Sequence, residues 1–451
     1  MKRHAKKIAE KALKGNIYNK AVLPKHYGVA LATNVRKGFP ARDLKVIGVT
    51  GTNGKTSTCY LIHKMLVDAG YDAGLMSTVA YGVNDDITQQ IAHMTSQPIG
   101  MLMGRIETMK AKGMDYLVLE VTSHALAQFR IMGVPIDIAV MTNITHEHLD
   151  YHGTFQAYLN AKLKLFKLAG RNKNGRKLGV INSDDDNAAL FADQVENVAA
   201  YSLDENAGPN VAKPVGLKLT PKGSKYKMVI GSDSYNITCN LPGSFNVSNS
   251  MAAALVGRAL GLTKKQIENG IKSLHGVEGR MTRVDVGQNF DVIVDFAHTP
   301  DSFEKLFADL RPVVKGRLIG LFGSAGRRDV AKRATQGEIA GKYCDVVIVT
   351  EEDDRDVDGN EIMDQIAGGA EKSGKIRDKD LHLILDRTEA LEFALKTAKK
   401  GDTVILLGKG HEKTIERAIG SGGEKDHDNP WEVHPWNEIE TTEKLLKKLN
   451  K

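Results

Sequence analysis

At 451 residues the chain exceeds one ordinary hydrophobic core, so two or three domains are expected. Its apolar content is 41%, no run nears the roughly 18 apolar residues of a membrane-spanning helix, and the basic start lacks a signal peptide's apolar region, so a cytoplasmic protein is expected. The net charge of +7 sits in residues 1–25, where Lys2, Arg3, Lys6, Lys7, Lys11, Lys14, Lys20 and Lys25 face Glu10 alone; the balanced remainder excludes a nucleic-acid-binding surface as the default reading.

Residues 1–43 form a short basic N-terminal segment. Ala5, Ile8, Ala9, Ala12 and Leu13 recur at helical spacing, which suits contact with an anionic membrane or, equally, a solvated helix. From Leu44 onward, β-branched runs alternate with helical patterns, the signature of parallel sheets with crossover helices. Val46–Val49, Tyr116–Leu119, Ile136–Met141 and Leu178–Ile181 read as buried strands. Lys213–Cys239 alternates as half-exposed antiparallel strands do, and Asn249–Gly261 reads as a small-residue helix. After the linker Leu274–Arg280 a second series follows at Val292–Val294, Leu318–Phe322, Val346–Val349, Leu381–Leu385 and Val404–Leu407. The expected fold is α/β: a central P-loop ATPase domain with a parallel sheet over 44–278, then a Rossmann-like C-terminal α/β domain over 279–451. Cys59, Cys239 and Cys344 form no metal-spaced pair and fit small buried hydrophobes in a reducing compartment.

The strongest motif is Val46-Ile-Gly-Val-Thr-Gly-Thr-Asn-Gly-Lys-Thr-Ser57, a strand, a glycine loop and a helix start. It ends as a P-loop does, although Val49 stands where the general pattern has glycine. Glycines allow consecutive N–H groups to turn toward phosphate oxygens, and the helix adds its positive end. Gly51, Thr52, Asn53, Gly54, Lys55, Thr56 and Ser57 are therefore the candidate ATP site, with Lys55 on the β and γ phosphates and the Thr56 hydroxyl on Mg²⁺. Glu120 and His124 follow a strand at a sheet's carboxyl edge, where a carboxylate suits Mg²⁺. His146, His148, Asp150 and His152 admit a zinc reading, but the spacing has one residue too many for His-x-His-x-Asp-His. Alone, Lys162 reads as a solvated helix residue.

The loop Gly51-Thr-Asn-Gly-Lys-Thr56 resembles that of the Mur ligase and folylpolyglutamate synthetase superfamily, and further segments resemble the tripeptide-forming Mur ligases over residues 45–451. The resemblance implies an ATP-dependent amide ligase that activates a carboxylate as an acyl phosphate, closes to exclude water, and joins a free amino acid, a diamino acid, to a muramoyl-dipeptide-type acceptor. It implies two Mg²⁺ ions, held by Thr56, Glu120, His148 and a carbamylated Lys162, with Glu147 where the family has aspartate. Thr95, Ser96, Ser123, Gln128 and Arg130 match acceptor positions. Asn246 and Asn249 match the adenine side, Arg280 the phosphates, Asp295 the ribose, and His298 the same pocket. Gly408 and Glu412 match the amino-acid site, and Gly323–Asp329 a glycine-rich loop. Glu352-Asp353-Asp354-Arg355 stands where diaminopimelate ligases carry Asp-Asn-Pro-Arg: Arg355 suits a distal carboxylate, whereas the added acids favour a cationic side chain. Asp428-Asn-Pro-Trp431 reads as a turn. About 45 residues precede the first strand, too few for the domain that grips a uridine nucleotide, so a lipid-linked, polyglutamate or other non-UDP acceptor stays open. A monomer is expected. The reading from another class is a P-loop regulator or transporter subunit.

Overall fold

The computed structural model describes residues 22–90, 95–220, 222–426 and 430–449. The spaced apolar residues Ala5 to Leu13, and Asp428 and Asn429 of the expected turn, lie outside the described residues. The chain forms two compact units. The first runs to residue 275 except for 220–222 and 241–243, which group with the second, and the second starts at residue 276.

In the first unit the strands are β1 (Lys45–Thr50), β2 (Ala73–Met76), β3 (Ala80–Val83), β4 (Asp86–Gln89), β5 (Tyr116–Glu120), β6 (Ile136–Met141), β7 (Leu178–Asn182), β8 (Asn197–Tyr201), β9 (Val211–Thr220), β10 (Gly223–Ile230) and β11 (Asp233–Cys239). They make one sheet in the order β11-β10-β9-β8-β7-β6-β1-β5-β2-β3-β4. β1 lies between β5 and β6 and is parallel to both. Every residue of β5 and β6, and all of β1 after Lys45, is buried, which explains why these strands read as continuous apolar runs rather than alternating ones. The chain leaves β1 toward one side of the sheet and returns on the other at β6. Such a reversal leaves a crevice beyond the carboxyl ends of the strands, where Gly51, Val121 and Thr142 follow β1, β5 and β6.

The helix Phe155–Arg171 packs beneath this edge. Thr154 caps it, accepting from Ala157 N, and Tyr158, Lys162, Phe166 and Ala169 fall on its buried face at three- and four-residue steps. Gly48 permits the close approach, since a Cβ there would stand 2.9 Å from Leu165 Cδ1.

β9 pairs with β8 in parallel through Val211 and Ala212, ahead of the alternating stretch, and within that stretch β10 and β11 are antiparallel, as the alternation suggested. One element differs from the sequence reading. The helix expected from Asn249 begins at Ser244; its first turns interleave the buried Asn246 and Asn249 with Val247, a polar mixture that reads as loop in sequence.

The second unit has β12 (Thr282–Arg283), β13 (Asp291–Asp295), β14 (Leu318–Phe322), β15 (Val346–Val349), β16 (Leu381–Leu383) and β17 (Thr403–Leu407) in the order β12-β13-β17-β14-β15-β16. All pair in parallel except β12 with β13. A second sheet of three strands contains β18 (Thr414–Ala418), β19 (Glu424–Lys425) and β20 (Trp431–Pro435), so Trp431 opens a strand.

The helix Glu438–Lys448 is fastened to this unit by a pair with no exposure on either side chain: Arg387 Nη2 donates to Glu438 Oε1 at 2.7 Å and Nε to Oε2 at 2.9 Å. Arg387 also donates to the carbonyls of Glu351 and Leu407, which tethers the ends of β15 and β17. Arg387→Ala should cost about 3–5 kcal/mol, because Glu438 would remain buried without its counter-charge. Replacing both by Met and Leu should cost clearly less; urea denaturation of the two variants measures the difference.

Candidate active site

The glycine loop of the first unit is held by the segment that follows β6. Thr52 N donates to Asn143 O (2.7 Å) and Asn53 N to Asn143 Oδ1 (2.9 Å), while Thr142 Oγ1 donates to Asn53 O (2.6 Å). Thr52 Oγ1 lies 2.8 Å from the Tyr158 hydroxyl. No side chain fits at two positions: a Cβ on Gly51 would stand 1.8 Å from Thr142 Oγ1, and one on Gly54, whose φ is +84°, 2.5 Å from Asn249 Oδ1. Gly54 caps the helix Lys55–Asp68, and Thr56 and Ser57 lie buried in its first turn. A helix N-terminus reached through such a loop favours an anion.

Two lysines converge on this loop. Lys55 Nζ donates to the carbonyls of Gly51 (3.0 Å) and Thr52 (2.7 Å), and Lys162 Nζ donates to the same Gly51 oxygen at 2.5 Å. Lys162 is 2% exposed, with its ammonium 4.8 Å from the Tyr158 ring centre. Burial first, and then Lys55, push its pKa well below the ordinary lysine value against the pull of Glu147 and Glu120.

Glu120, 2% exposed, accepts from Thr56 Oγ1 (3.0 Å), Thr78 N (2.8 Å) and Thr78 Oγ1 (2.9 Å). A carboxylate beside a hydroxyl at the phosphate loop is a hard-oxygen donor set that fits Mg²⁺. Among the described residues no group of three His, Cys, Asp or Glu is arranged to hold a metal ion, so an ion here would draw on the Thr56 hydroxyl and phosphate oxygens as well. His148 sits in the left-handed region (φ 56°) ahead of a short helix. Its ring meets His124 edge-on at 4.7 Å and lies 6.2 Å from that of Tyr158.

The residues assigned to the acceptor form a connected network. Arg130 Nε donates to Gln128 Oε1 (2.9 Å) and Nη1 to Ser96 O (2.6 Å); Gln128 Nε2 reaches the Tyr151 hydroxyl. Ser96 Oγ meets Glu120 O, and Thr95 Oγ1 lies 3.0 Å from Thr78 Oγ1. Ser123 Oγ is 3.0 Å from His152 Nε2. Asn249 Nδ2 donates to Asn246 Oδ1, and Thr58 Oγ1 donates to Asn249 Oδ1, so the asparagine pair lies against the glycine turn.

In the second unit Asp295 accepts from Met281 N and Ala297 N, both at 2.7 Å. Burial raises its pKa, and Arg280 and the two N–H groups oppose that. The Arg280 guanidinium lies 4.5 Å over the Phe296 ring, and His298 Nδ1 is 2.8 Å from Phe296 O. The expectations for Arg355 and Glu412 meet prior commitments. Arg355 donates Nε to Glu416 Oε2 and Nη1 to Gly326 O, both at 2.7 Å. Glu412 lies 2.6 Å from the wholly buried Lys409, which also holds Asp353 at 2.8 Å. Gly408, at φ +97°, faces Glu352.

Sequence reasoning missed Thr78, Asn143 and Tyr158. Thr78 follows β2 at the same carboxyl edge as Glu120, and that placement is the signal that finds it. Thr78→Val should lower acceptor-dependent phosphate release about tenfold by removing one hydrogen bond that orients the Glu120 carboxylate. A parallel thermal melt should show the fold retained.

Two family models match the chain: the Mur ligase middle domain over residues 49–257 and the Mur ligase, glutamate ligase domain over residues 279–410. The UDP-N-acetylmuramyl-tripeptide synthetase of Roseiflexus sp. is 39% identical over 389 residues, covering 84% of this chain and 76% of the relative. The UDP-N-acetylmuramoyl-L-alanyl-D-glutamate--2,6-diaminopimelate ligase of Bacillus licheniformis is 36% identical over 387 residues, covering 85% and 77%. A solved structure of such a diaminopimelate ligase aligns with a TM-score of 0.62 at 29% identity over 91% of this chain and 80% of that one. The folylpolyglutamate synthase of Mycobacterium tuberculosis aligns with a TM-score of 0.68 over 86% and 96%; at 16% identity it speaks for the fold alone.

Proposed function

The chain belongs to the Mur ligase family of ATP- and Mg²⁺-dependent acid–amino acid ligases, and from that premise we propose that it joins a diamino acid to a muramoyl-dipeptide-type acceptor through an acyl phosphate. The observation that carries the reading is the meeting of Lys55 and Lys162 at the Gly51 carbonyl, with Thr56, the residue after Lys55, in contact with Glu120. Residues 44–278 take ATP and the acceptor; residues 279–451 take the amino acid.

The roles follow from charge. Backbone N–H groups of residues 51–57 and the Lys55 ammonium bind the triphosphate, and Lys55 stabilises charge as the terminal phosphoryl moves to the acceptor carboxylate. Mg²⁺, at two sites that Thr56, Glu120, His148 and Lys162 would serve, neutralises phosphate charge when bound. Lys162 serves after carbamylation: its ammonium gives up one proton to become the amine, whose nitrogen adds to CO₂ and gives up a second, which turns a buried cation into an anionic oxygen donor. Ser96, Ser123, Gln128 and Arg130, with Thr95, hold the acceptor peptide. Asn246 and Asn249 support the adenine side; for Arg280, Asp295 and His298 the family resemblance is the support for a nucleotide role. The amine then attacks the acyl phosphate, giving the amide, ADP and phosphate. Among the described residues no helix is long and apolar enough to cross a membrane.

Incubation with ATP, Mg²⁺, a UDP-linked muramoyl dipeptide and single amino acids should give an amide with one phosphate per bond. Product only with a lipid-linked or polyglutamate acceptor would assign a related ligase; no acceptor-dependent phosphate release would sink the proposal. Lys162→Ala should lose ligation by at least about a hundredfold, rescued by neither salt nor excess ATP. With ¹³C-bicarbonate, a carbamate carbon signal should appear in the unaltered protein and be absent from Lys162→Ala; full activity in the variant would remove Lys162 from the mechanism.

A further inference from the structure

The residues assigned to the acceptor hang on one turn of the first unit. The short helix Ser123–Ala127 ends at Gln128, and Phe129 follows in the left-handed region, at φ 57°. Gln128 N donates to His124 O (2.8 Å) and Arg130 N to Ala125 O (2.9 Å), which closes the turn. Helices commonly end this way through glycine, because a side chain at that backbone angle crowds the neighbouring carbonyl. An aromatic residue there persists only when its surroundings hold it.

The surroundings are two helices. Tyr27, on the helix Leu23–Arg36, meets the Phe129 ring edge-on, with centroids 5.4 Å apart and planes at 88°. Seven positions later, and so on the same helix face, the wholly buried Asn34 donates Nδ2 to Met132 O at 3.0 Å. Asn34 also lies over Gly133, where a Cβ would stand 2.4 Å from its Oδ1. From the helix Phe155–Arg171, the Lys164 ammonium stands 5.4 Å from the Phe129 ring centre and 3.5 Å from Leu126 O in the short helix. Edge-to-face and cation–ring contacts fix the orientation of a ring as well as burying it.

The turn acts on the residues that flank it. In a continuing helix the side chains of residues 128 and 130 would not face each other. The reversal at Phe129 instead brings Arg130 Nε and Nη2 to Gln128 Oε1, at 2.9 and 2.5 Å, while Nη1 reaches Ser96 O at 2.6 Å and Gln128 Nε2 the Tyr151 hydroxyl at 3.0 Å. We propose that Phe129 is a positioning residue for the acceptor: its ring, gripped by Tyr27 and Lys164, fixes the turn that presents Gln128 and Arg130 as one unit to an anionic peptide. The helix Leu23–Arg36 thereby governs acceptor affinity through Phe129. The inference rests on the ligase reading above.

The test uses the full chain with ATP, Mg²⁺, lysine and diaminopimelate supplied together as donors, and a UDP-linked or, failing product, a lipid-linked muramoyl dipeptide. Tyr27→Ala should raise the KM for the acceptor about fivefold and Phe129→Gly about tenfold, with kcat and the KM for ATP unchanged. Glycine permits the same backbone angle, so its effect reports the lost grip and not strain. Tyr27→Phe keeps the ring and should keep the acceptor KM of the unaltered protein. Because both residues act through one contact, the double variant Tyr27→Ala/Phe129→Gly should bind the acceptor no worse than Phe129→Gly alone. A lowered thermal midpoint with an unchanged acceptor KM, a further fivefold loss in the double variant, or a Tyr27→Phe that behaves like Tyr27→Ala overturns the inference. Should Phe129→Gly fail to fold, the two Tyr27 variants decide, since Tyr27 is 49% exposed and its replacement leaves the core intact. Amide formation with an unchanged acceptor KM in Tyr27→Ala would sink the inference and leave the ligase reading standing; no amide from the unaltered protein with either acceptor sinks both.

Discussion

Two lysine side chains share the carbonyl oxygen of Gly51, and much of the first unit exists to make that possible. Lys55 comes from the helix that follows β1 and Lys162 from the helix Phe155–Arg171, residues 107 positions apart in sequence that meet only because β1 lies between β5 and β6. Gly48 lets the second helix approach, and Tyr158, one turn before Lys162, fixes Thr52 through its hydroxyl. Core packing and loop geometry therefore share residues. A buried ammonium beside another cation is unfavourable by itself, and the depressed pKa of Lys162 expresses that cost. An arriving polyanion, or conversion of the amine to an anion, relieves it.

The Glu120 carboxylate extends the same logic one strand further. It is buried yet satisfied by three donors from Thr56 and Thr78, so it stays in place with its charge available at the loop. Thr78 links that carboxylate to Thr95, and the backbone of Glu120 meets Ser96. The glycine loop's helix and the residues Thr95 and Ser96 are thus mechanically continuous within one unit.

What was legible in sequence follows from what a sequence encodes locally. The buried parallel strands announced themselves as apolar runs, and the loop after β1 by its glycines and Lys55. The carboxyl-edge position of Glu120 followed from both. The start of the helix that carries Asn246 was not legible, because its first turn reads as a polar loop. Thr78, Asn143 and Tyr158 carry common side chains, and their partners lie 42, 90 and 106 residues away in sequence. Only the folded chain discloses such pairs. Arg355 shows the same limit for charge: its presence is written in the sequence, but its availability is decided by Glu416, 61 residues later.

The two units have opposite electrostatic deficits. In the first, lysines and helix N–H groups gather at a glycine loop, an arrangement short of negative charge. In the second, four buried acids follow β15 while Lys409 divides its charge between two carboxylates and Arg387 is consumed by Glu438. That loop is short of positive charge, and the Arg387 contacts to the carbonyls of Glu351 and Leu407 prevent it from relaxing by moving apart. Rigid placement sustains that imbalance: a loop free to rearrange would turn Glu352 to water, whereas a tethered one keeps it buried against Gly408.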